Sequence, residues 1–299
     1  MKRKGTGPDG LVIVDKPAGV TSHGVVAQLR RLAGTRRVGH AGTLDPMATG
    51  VLVVGVERAT RLLGHLALTA KAYDGTIRLG QATGTDDADG DITTTTSTSG
   101  ITRMEINTAV AALTGDIRQV PSKISAIKID GKRSYSRVRA GEEVELAARA
   151  VHVASFMVCE VREVAAEDGT PLLDLDVTVE CSSGTYIRAL ARDLGTILGV
   201  GGHLTQLRRT RVGPYTLDQA HTLDQLARSL TVIPIGEAAA VAFPRRDVSA
   251  REARLLVNGV KLDAIGLGRG PIAVFDPENR FLALVEENRG QARSLAVFV

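Results

Sequence analysis

Asp45 sits within Gly39-His40-Ala41-Gly42-Thr43-Leu44-Asp45-Pro46-Met47-Ala48-Thr49-Gly50, a glycine-punctuated stretch that runs straight into the apolar Val51-Leu52-Val53-Val54. Such a run reads as a buried strand, and a loop feeding it is where a fold presents one side chain rigidly. Pro46 biases Asp45 away from helical backbone and offers no N–H of its own, so the carboxylate is held on an extended turn. A lone Leu-Asp-Pro is more often a turn in which the Asp caps its own backbone. The residues around this one favour a carboxylate presented for chemistry over that turn, and a carboxylate can serve as a nucleophile or as a base.

Other chemistries lack their residues. There is no glycine fingerprint joining a strand to a helix, no phosphate loop, no His-Glu-x-x-His and no cluster of Cys and His. Asp87-Ala88-Asp89-Gly90-Asp91 imitates a calcium loop, but Gly90 at the sixth position puts Thr85 first and Thr96 twelfth, with no Glu to close the site; it reads as a solvated turn. Lys16-Pro17-Ala18-Gly19-Val20-Thr21-Ser22 has phosphate-loop residue types in the wrong order. Neither metal nor cofactor is expected.

The segment around Asp45 resembles the catalytic motif of the TruB family of pseudouridine synthases, which form pseudouridine 55 in the T loop of tRNA. Every fixed position of Gly-His-x-Gly-x-Leu-Asp-Pro-x-Ala-x-Gly-Val-Leu is present. Four further segments match in order: Asp15–Ser22, Lys71-Ala72-Tyr73, Pro121–Lys128 and Cys181–Arg188. The resemblance implies that Asp45 is the nucleophile and that Arg188 is its counter-ion. It implies that Tyr73 and Tyr186 stack on the extruded uracil, Tyr73 also being a candidate proton shuttle, and that Leu207 is an apolar pocket wall. His40 would fill the space left by the flipped nucleotide, and Asp15–Ser22 would brace the site. Without the motifs, each of these would pass as a surface Arg, a core Tyr or Leu, or a backbone-bonded His.

These residues need elements to hold them. Leu11–Val14 reads as a strand, and Thr21 or Ser22 caps a helix with apolar positions at Val25, Val26, Leu29 and Leu32. Residues 39–50 form the catalytic loop, followed by a strand over 51–55, a helix around 59–66 and a half-buried strand over 73–79. The Gly, Asp and Thr of 81–100 predict an exposed connection, and a short helix covers 104–113. Residues 151–162 and 172–181 read as a hairpin. The apolar spacing of Ile187, Leu190, Ala191, Leu194 and Leu198 makes 184–198 an amphipathic helix with Arg188 in its first turns. Strands mingled with helices without regular alternation predict an α+β fold with a mixed, largely antiparallel sheet. The resemblance implies the pseudouridine synthase fold over 1–243, with a thumb-like RNA-binding insertion at about 116–145. The polar, Pro- and Arg-containing stretch near 244–246 reads as a linker to a small all-β module over 248–299, similar in pattern and position to a PUA domain.

Charge is segregated. Residues 1–40 carry eight Lys or Arg against two Asp, and 121–140 carry six against one, so a polyanionic partner is expected. Lys123, Lys128, Lys132 and Arg133 are the candidate RNA contacts. Aromatic residues make up 3% of the chain and Trp is missing, which weighs against a sequence-tolerant binder built on stacking rings. Cys159 and Cys181 read as buried free thiols. The apolar run after the basic N-terminus is too short for a signal core or a membrane span, so a cytoplasmic protein is expected. The combined expectation is a stand-alone, monomeric tRNA pseudouridine(55) synthase acting on the T stem-loop, with no obligate protein partner. The alternatives are a guide-dependent rRNA pseudouridine synthase and a non-catalytic tRNA-binding or folding protein. A paired Asp45 and Arg188 would discriminate against the latter, because a binder has no use for a buried nucleophile.

Overall fold

The apolar runs 11–14 and 51–54 lie side by side in one sheet, and both of its faces are covered there. The computed structural model describes residues 7–122, 146–268 and 270–299, together with the backbone of 128–129 and 132–133. The first part runs β1 (Gly10–Lys16), α1 (Ser22–Leu32), β2 (Val38–Ala41), β3 (Thr49–Val56), α2 (Leu63–Leu66), β4 (Lys71–Leu79), β5 (Gln81–Thr83), β6 (Ile92–Thr95), α3 (Arg103–Ala112) and β7 (Gly115–Gln119). After the short ladder of β8 (Lys128–Ile129) and β9 (Lys132–Arg133) come β10 (Arg149–Ala165), β11 (Pro171–Cys181), α4 (Ile187–Ile197), β12 (Gly202–Val212), β13 (Tyr215–Thr216), α5 (Leu223–Arg228), β14 (Ile233–Pro234) and α6 (Ile235–Ala242). The C-terminal part holds β15 (Arg245–Asp247), α7 (Ala250–Val257), β16 (Leu262–Asp263), β17 (Ile272–Phe275), β18 (Phe281–Asn288) and β19 (Gln291–Val297).

The large sheet has the order β14-β1-β3-β12-β4-β11-β10-β7, with β2 added to β3 and β13 to β12. Its joins are antiparallel except β3–β12, where Thr49 and Gly50 pair in parallel with Arg208 and Arg209. This is the expected mixed, largely antiparallel sheet. The parallel join places the residues just before β3 beside the middle of β12, so the Asp45 loop emerges over the centre of the sheet. Gly50 makes that approach possible. Its φ is +97°, and a Cβ there would lie 2.2 Å from the Arg209 carbonyl oxygen.

Burial on both faces explains why the runs 11–14 of β1 and 51–54 of β3 are apolar at every position. Val12, Val14, Leu52 and Val54 pack under Val25, Val26 and Leu29 of α1, each burial contributing about 1.5–3 kcal/mol. Leu11, Ile13, Val51 and Val53 face the other way, into a cluster with Ala238, Ala239, Phe243, Phe275, Phe281 and Phe298. The other half of the sheet is covered on one face only, where α3 and α4 close a core with Ile77, Leu79, Val153, Leu175, Val177 and Leu204.

Several expectations need correction. His40 belongs to strand β2, opposite Val54, so the loop proper is 42–48. Helix 59–66 is a 3-10 turn over Glu57–Arg61 followed by the single turn of α2. Residues 81–100 are not wholly exposed, because β5 and β6 pair there and Asp87 and Thr98 are buried. Residues 116–119 of the expected insertion belong to the sheet strand β7, paired with β10. Cys181 is buried, but Cys159 is exposed; it falls at a bulge of β10 on the uncovered face, beside the Thr178 hydroxyl. The stretch expected as a linker is β15, which pairs in parallel with β17.

The C-terminal sheet, in the order β15-β17-β18-β19-β16, has its own small core, including Leu256, Ile272, Val274 and Val285. Its other face completes the shared cluster with Leu11 and Ile13, and Arg58 and Arg61 donate to the carbonyls of Phe298 and Val297. Removing residues 248–299 is therefore expected to uncover Leu11, Ala238 and Phe243 and to lower the melting temperature of what remains by several degrees or more. A truncated protein that melts with the intact chain would show that this shared cluster adds no stability.

Candidate active site

The loop carrying Asp45 is clamped from two sides through its backbone. Ser22 Oγ, on the first turn of α1, donates to the Leu44 carbonyl (3.0 Å) and accepts from the Leu44 N–H (2.9 Å). Lys16, fully buried, donates to the carbonyls of Pro17 (2.8 Å), Val20 (2.7 Å) and Pro46 (3.2 Å), and the Gly19 N–H adds a second bond to Pro46. Asp15–Ser22 is thus a brace. From the opposite side Arg209, 1% exposed, donates to the carbonyls of Val51 (2.7 Å), Gly42 (3.1 Å) and Thr43 (3.4 Å). Each bond satisfies a backbone donor or acceptor of the loop or its brace that would be costly to leave buried and unpaired.

Arg188 arrives on the first turn of α4, whose start is held by Gln119 at the end of β7. The Gln119 amide donates to the Tyr186 carbonyl (3.0 Å) and accepts from the Tyr186 N–H (2.8 Å). The Arg188 side chain is 6% exposed, with Nε 3.0 Å from Asp45 Oδ2 and Nη1 3.1 Å from Asp87 Oδ2; Nη1 also donates to the Thr85 carbonyl at 2.9 Å. One guanidinium therefore lies between two carboxylates. Asp87 is itself fixed by the Thr85 hydroxyl and the Asp89 N–H.

Asp45, Tyr73, Tyr186, Arg188 and Leu207 line a single cavity of about 290 Å³ together with Lys71 and Arg209. The register explains the company. Arg209 lies opposite Tyr73 and Leu207 opposite Gly75, so alternate residues of β4 and β12 point into one space. The Asp45 side chain keeps 36% exposure at the mouth, whereas Tyr73 is buried at 7%. Burial raises the Asp45 pKa above its usual value; Arg188 opposes that shift, Asp87 and Asp89 reinforce it, and Lys16 opposes it. Burial also raises the Tyr73 phenol, against the pull of Arg209. The result is an orientable carboxylate with a fixed cation at one edge, facing a slot walled by two phenol rings and a leucine.

His40 stands outside this lining, with its ring edge-on to His23 at 5.3 Å between centroids. Lys123 lies outside the described residues, and for Lys128, Lys132 and Arg133 only the backbone ladder is described. Asp87, Lys71, Arg209 and Gln119 were not anticipated. Asp87 was read as part of a solvated turn, yet it is 3% exposed and bound to Arg188. Spacing marks the turn but does not show that it folds over the start of α4. No cluster of His, Cys, Asp and Glu suited to a metal occurs among the described residues.

A site of this kind, a lone carboxylate paired with arginine at the centre of a mixed sheet, can be compared with known proteins. Residues 30–187 match the TruB family pseudouridylate synthase N-terminal domain. Residues 188–236 match a tRNA pseudouridylate synthase B C-terminal domain, and 243–299 a tRNA pseudouridine synthase II C-terminal domain. The chain is 69% identical over 298 residues to tRNA pseudouridine synthase B of Streptomyces griseus subsp. griseus, covering 100% of both. It is 59% identical over 290 residues to tRNA pseudouridine synthase B of Thermobifida fusca, covering 97% of this chain and 98% of the other. Among solved structures, a chain of a Cbf5-Nop10-Gar1 complex is similar with a TM-score of 0.72 and 25% identity, over 97% of this chain and 84% of that one. The chain belongs to the TruB family of pseudouridylate synthases.

The two-carboxylate arrangement predicts unequal substitutions. Arg188→Lys has one ammonium where a fork spans Asp45 and Asp87, and is expected to lose most of the activity. Asp87→Asn leaves Arg188 in place but removes a buried partner, at a cost of about 3–5 kcal/mol shared between stability and rate. Because Arg188 opposes the rise in the Asp45 pKa, its removal raises that pKa further. If ionised Asp45 carries the activity, the acidic limb of a pH–rate profile therefore lies above the ordinary carboxylate range and moves higher in Arg188→Met. An unmoved limb would show that the pair does not set the charge on Asp45.

Proposed function

We propose that the protein isomerises uridine 55 in the T loop of tRNA to pseudouridine, with Asp45 as the nucleophile. The carrying observation is the Asp45 carboxylate held 3.0 Å from Arg188 at the mouth of a cavity walled by Tyr73, Tyr186 and Leu207. The reaction breaks C1′–N1, turns the uracil and joins C1′ to C5; N1 gains a proton and C5 loses one, so no electrons enter or leave and no redox group is needed. An ionised carboxylate can add to the sugar or the base, or take a proton from the ribose, and then depart. Arg188 keeps it charged and aimed, while the two rings and Leu207 hold a planar base through its turn. The high-identity relatives, named tRNA pseudouridine synthase B, support tRNA as the substrate rather than the rRNA of the guide-dependent alternative.

A uridine inside a folded loop must leave its stack to reach Asp45, at a cost of a few kcal/mol. On this reading His40, on β2 just before the clamped loop, fills the vacated space. Affinity comes from phosphate contacts, for which Lys123, Lys128, Lys132 and Arg133 are the proposed donors, with the C-terminal PUA-like sheet as a second surface. No helix among the described residues is long and apolar enough to cross a membrane. A cytoplasmic monomer working without a protein partner completes the reading.

Incubation with an unmodified tRNA transcript is expected to place pseudouridine at position 55; a mapped transcript without it would overturn the assignment. Asp45→Asn should abolish product while tRNA affinity stays within about tenfold, whereas neutralising the four basic residues should weaken binding and flatten its salt slope by roughly 0.7–0.9 per lost contact. Product from Asp45→Asn would remove it from the nucleophile role, and an unchanged slope would turn the basic segment away from RNA. His40→Ala is expected to slow single-turnover conversion on a folded T stem-loop more than on one whose loop is already opened. Equal slowing on both would place His40 in the chemistry or in loop packing instead.

A further inference from the structure

Lys71 is a buried cation in the cavity for which the chemistry above finds no use. It is 6% exposed and lies two residues before Tyr73 on β4, so both side chains point to the same face and into the same space. Its ammonium donates to the carbonyls of Ala67 (2.9 Å) and Thr69 (2.9 Å), which occupies two of its three N–H bonds and leaves one for the cavity. Among the described residues it has no carboxylate partner, in contrast to Arg188. Arg209, the neighbouring cation in the lining, is likewise bound to carbonyls. The cavity is thus polarised: Asp45, with Arg188 and Asp87 behind it, forms one end, and two cations without carboxylates form another.

Burying a cation without a counter-charge is costly unless something in the working cycle uses it. Burial, reinforced by the neighbouring Arg209 cation, lowers the Lys71 pKa to about 8. The reaction supplies a transient anion. When C1′–N1 breaks, its electron pair stays with the base, and the negative charge spreads over N1 and the ring carbonyl oxygens. Addition of Asp45 to the base would also load those oxygens with charge. We infer that Lys71, with Arg209 beside it, is the electrostatic stabiliser of the uracil anion formed between cleavage of C1′–N1 and formation of C1′–C5. A fixed charge aimed at developing charge in a site screened from water is an effective form of transition-state stabilisation. The two backbone carbonyls hold the ammonium still without neutralising it, as a carboxylate would.

This assignment rests on the proposed isomerisation, and the test separates the two. Single-turnover rearrangement is measured on a T stem-loop carrying uridine or 5-fluorouridine at the target position. It is read on both as loss of the C1′–N1-linked nucleoside, because fluorine leaves C5 no proton to lose and stops the fluorinated product at the C1′–C5-joined stage. Fluorine at C5 stabilises the uracil anion by itself, so a protein group serving that anion matters less. Lys71→Gln keeps a donor for Ala67 and Thr69 but loses the charge, and Lys71→Arg keeps the charge. The expected result is about a hundredfold loss for Lys71→Gln on uridine, falling below about tenfold on 5-fluorouridine. Lys71→Arg should show a smaller loss that is similar on both RNAs. Thermal unfolding and RNA affinity, measured on the same preparations, identify any variant that has lost its fold, and the comparison of two substrates is made within each folded protein. An equal loss of Lys71→Gln on both RNAs, or no loss, would overturn the role and leave Lys71 as a clamp for residues 67–69. Failure of the unsubstituted protein to convert the uridine stem-loop would instead overturn the isomerisation itself.

Discussion

A carboxylate partly withdrawn from water holds its charge only beside a cation that cannot move away, and Arg188 is that cation for Asp45. Arg188 is nearly fully buried and would itself be costly with one partly exposed partner; Asp87 supplies the second carboxylate and shares the guanidinium fork. Much of the remaining architecture fixes this triad. Gln119 sets the start of the helix that delivers Arg188, the Thr85 turn carries Asp87, and the Ser22, Lys16 and Arg209 clamps hold the Asp45 backbone. Nearly all these clamps act on carbonyls and N–H groups. The Asp45 side chain at the centre keeps its opening to the cavity while its main chain is held.

The sheet divides its labour along its width. Around β1 and β3 both faces are buried, which gives a rigid platform on which the C-terminal sheet and α1 are mounted. Around β4, β11 and β10 only the helix side is covered, and the other face is a ladder of ion pairs such as Arg78–Asp174 and Arg162–Asp176. The parallel join of β3 to β12 lies where these halves meet. Loops entering a sheet at such a join emerge over its middle, so the Asp45 carboxylate and the alternating residues of β4 and β12 share one cavity.

Much was legible in the chain alone. The apolar runs at 11–14 and 51–54, the helical spacing at 25–32 and 187–198, and the hairpin over 151–181 are signalled by period and turn chemistry, because secondary structure follows local side-chain pattern. The Asp45 motif and its collinear companions identify the family and name Arg188, Tyr73, Tyr186 and Leu207 as one site. Composition also excludes a metal cluster ligated by cysteines.

Tertiary structure alone decided how the charges are shared. Asp87 lies 101 positions before Arg188 in a stretch that reads as solvent-exposed, and only the packing of the 83–89 turn over α4 buries it. Lys71 and Arg209 look like ordinary strand cations until register places them beside Tyr73 in the cavity. The polar stretch at 244–246 reads as a linker, but it is the strand β15 paired with β17, beside a core in which Leu11, Phe243 and Phe281 meet. Periodicity reports which side of an element is apolar; it carries no record of which distant element will cover that side. Burial, and with it the energy of every charge in the site, is set by that covering.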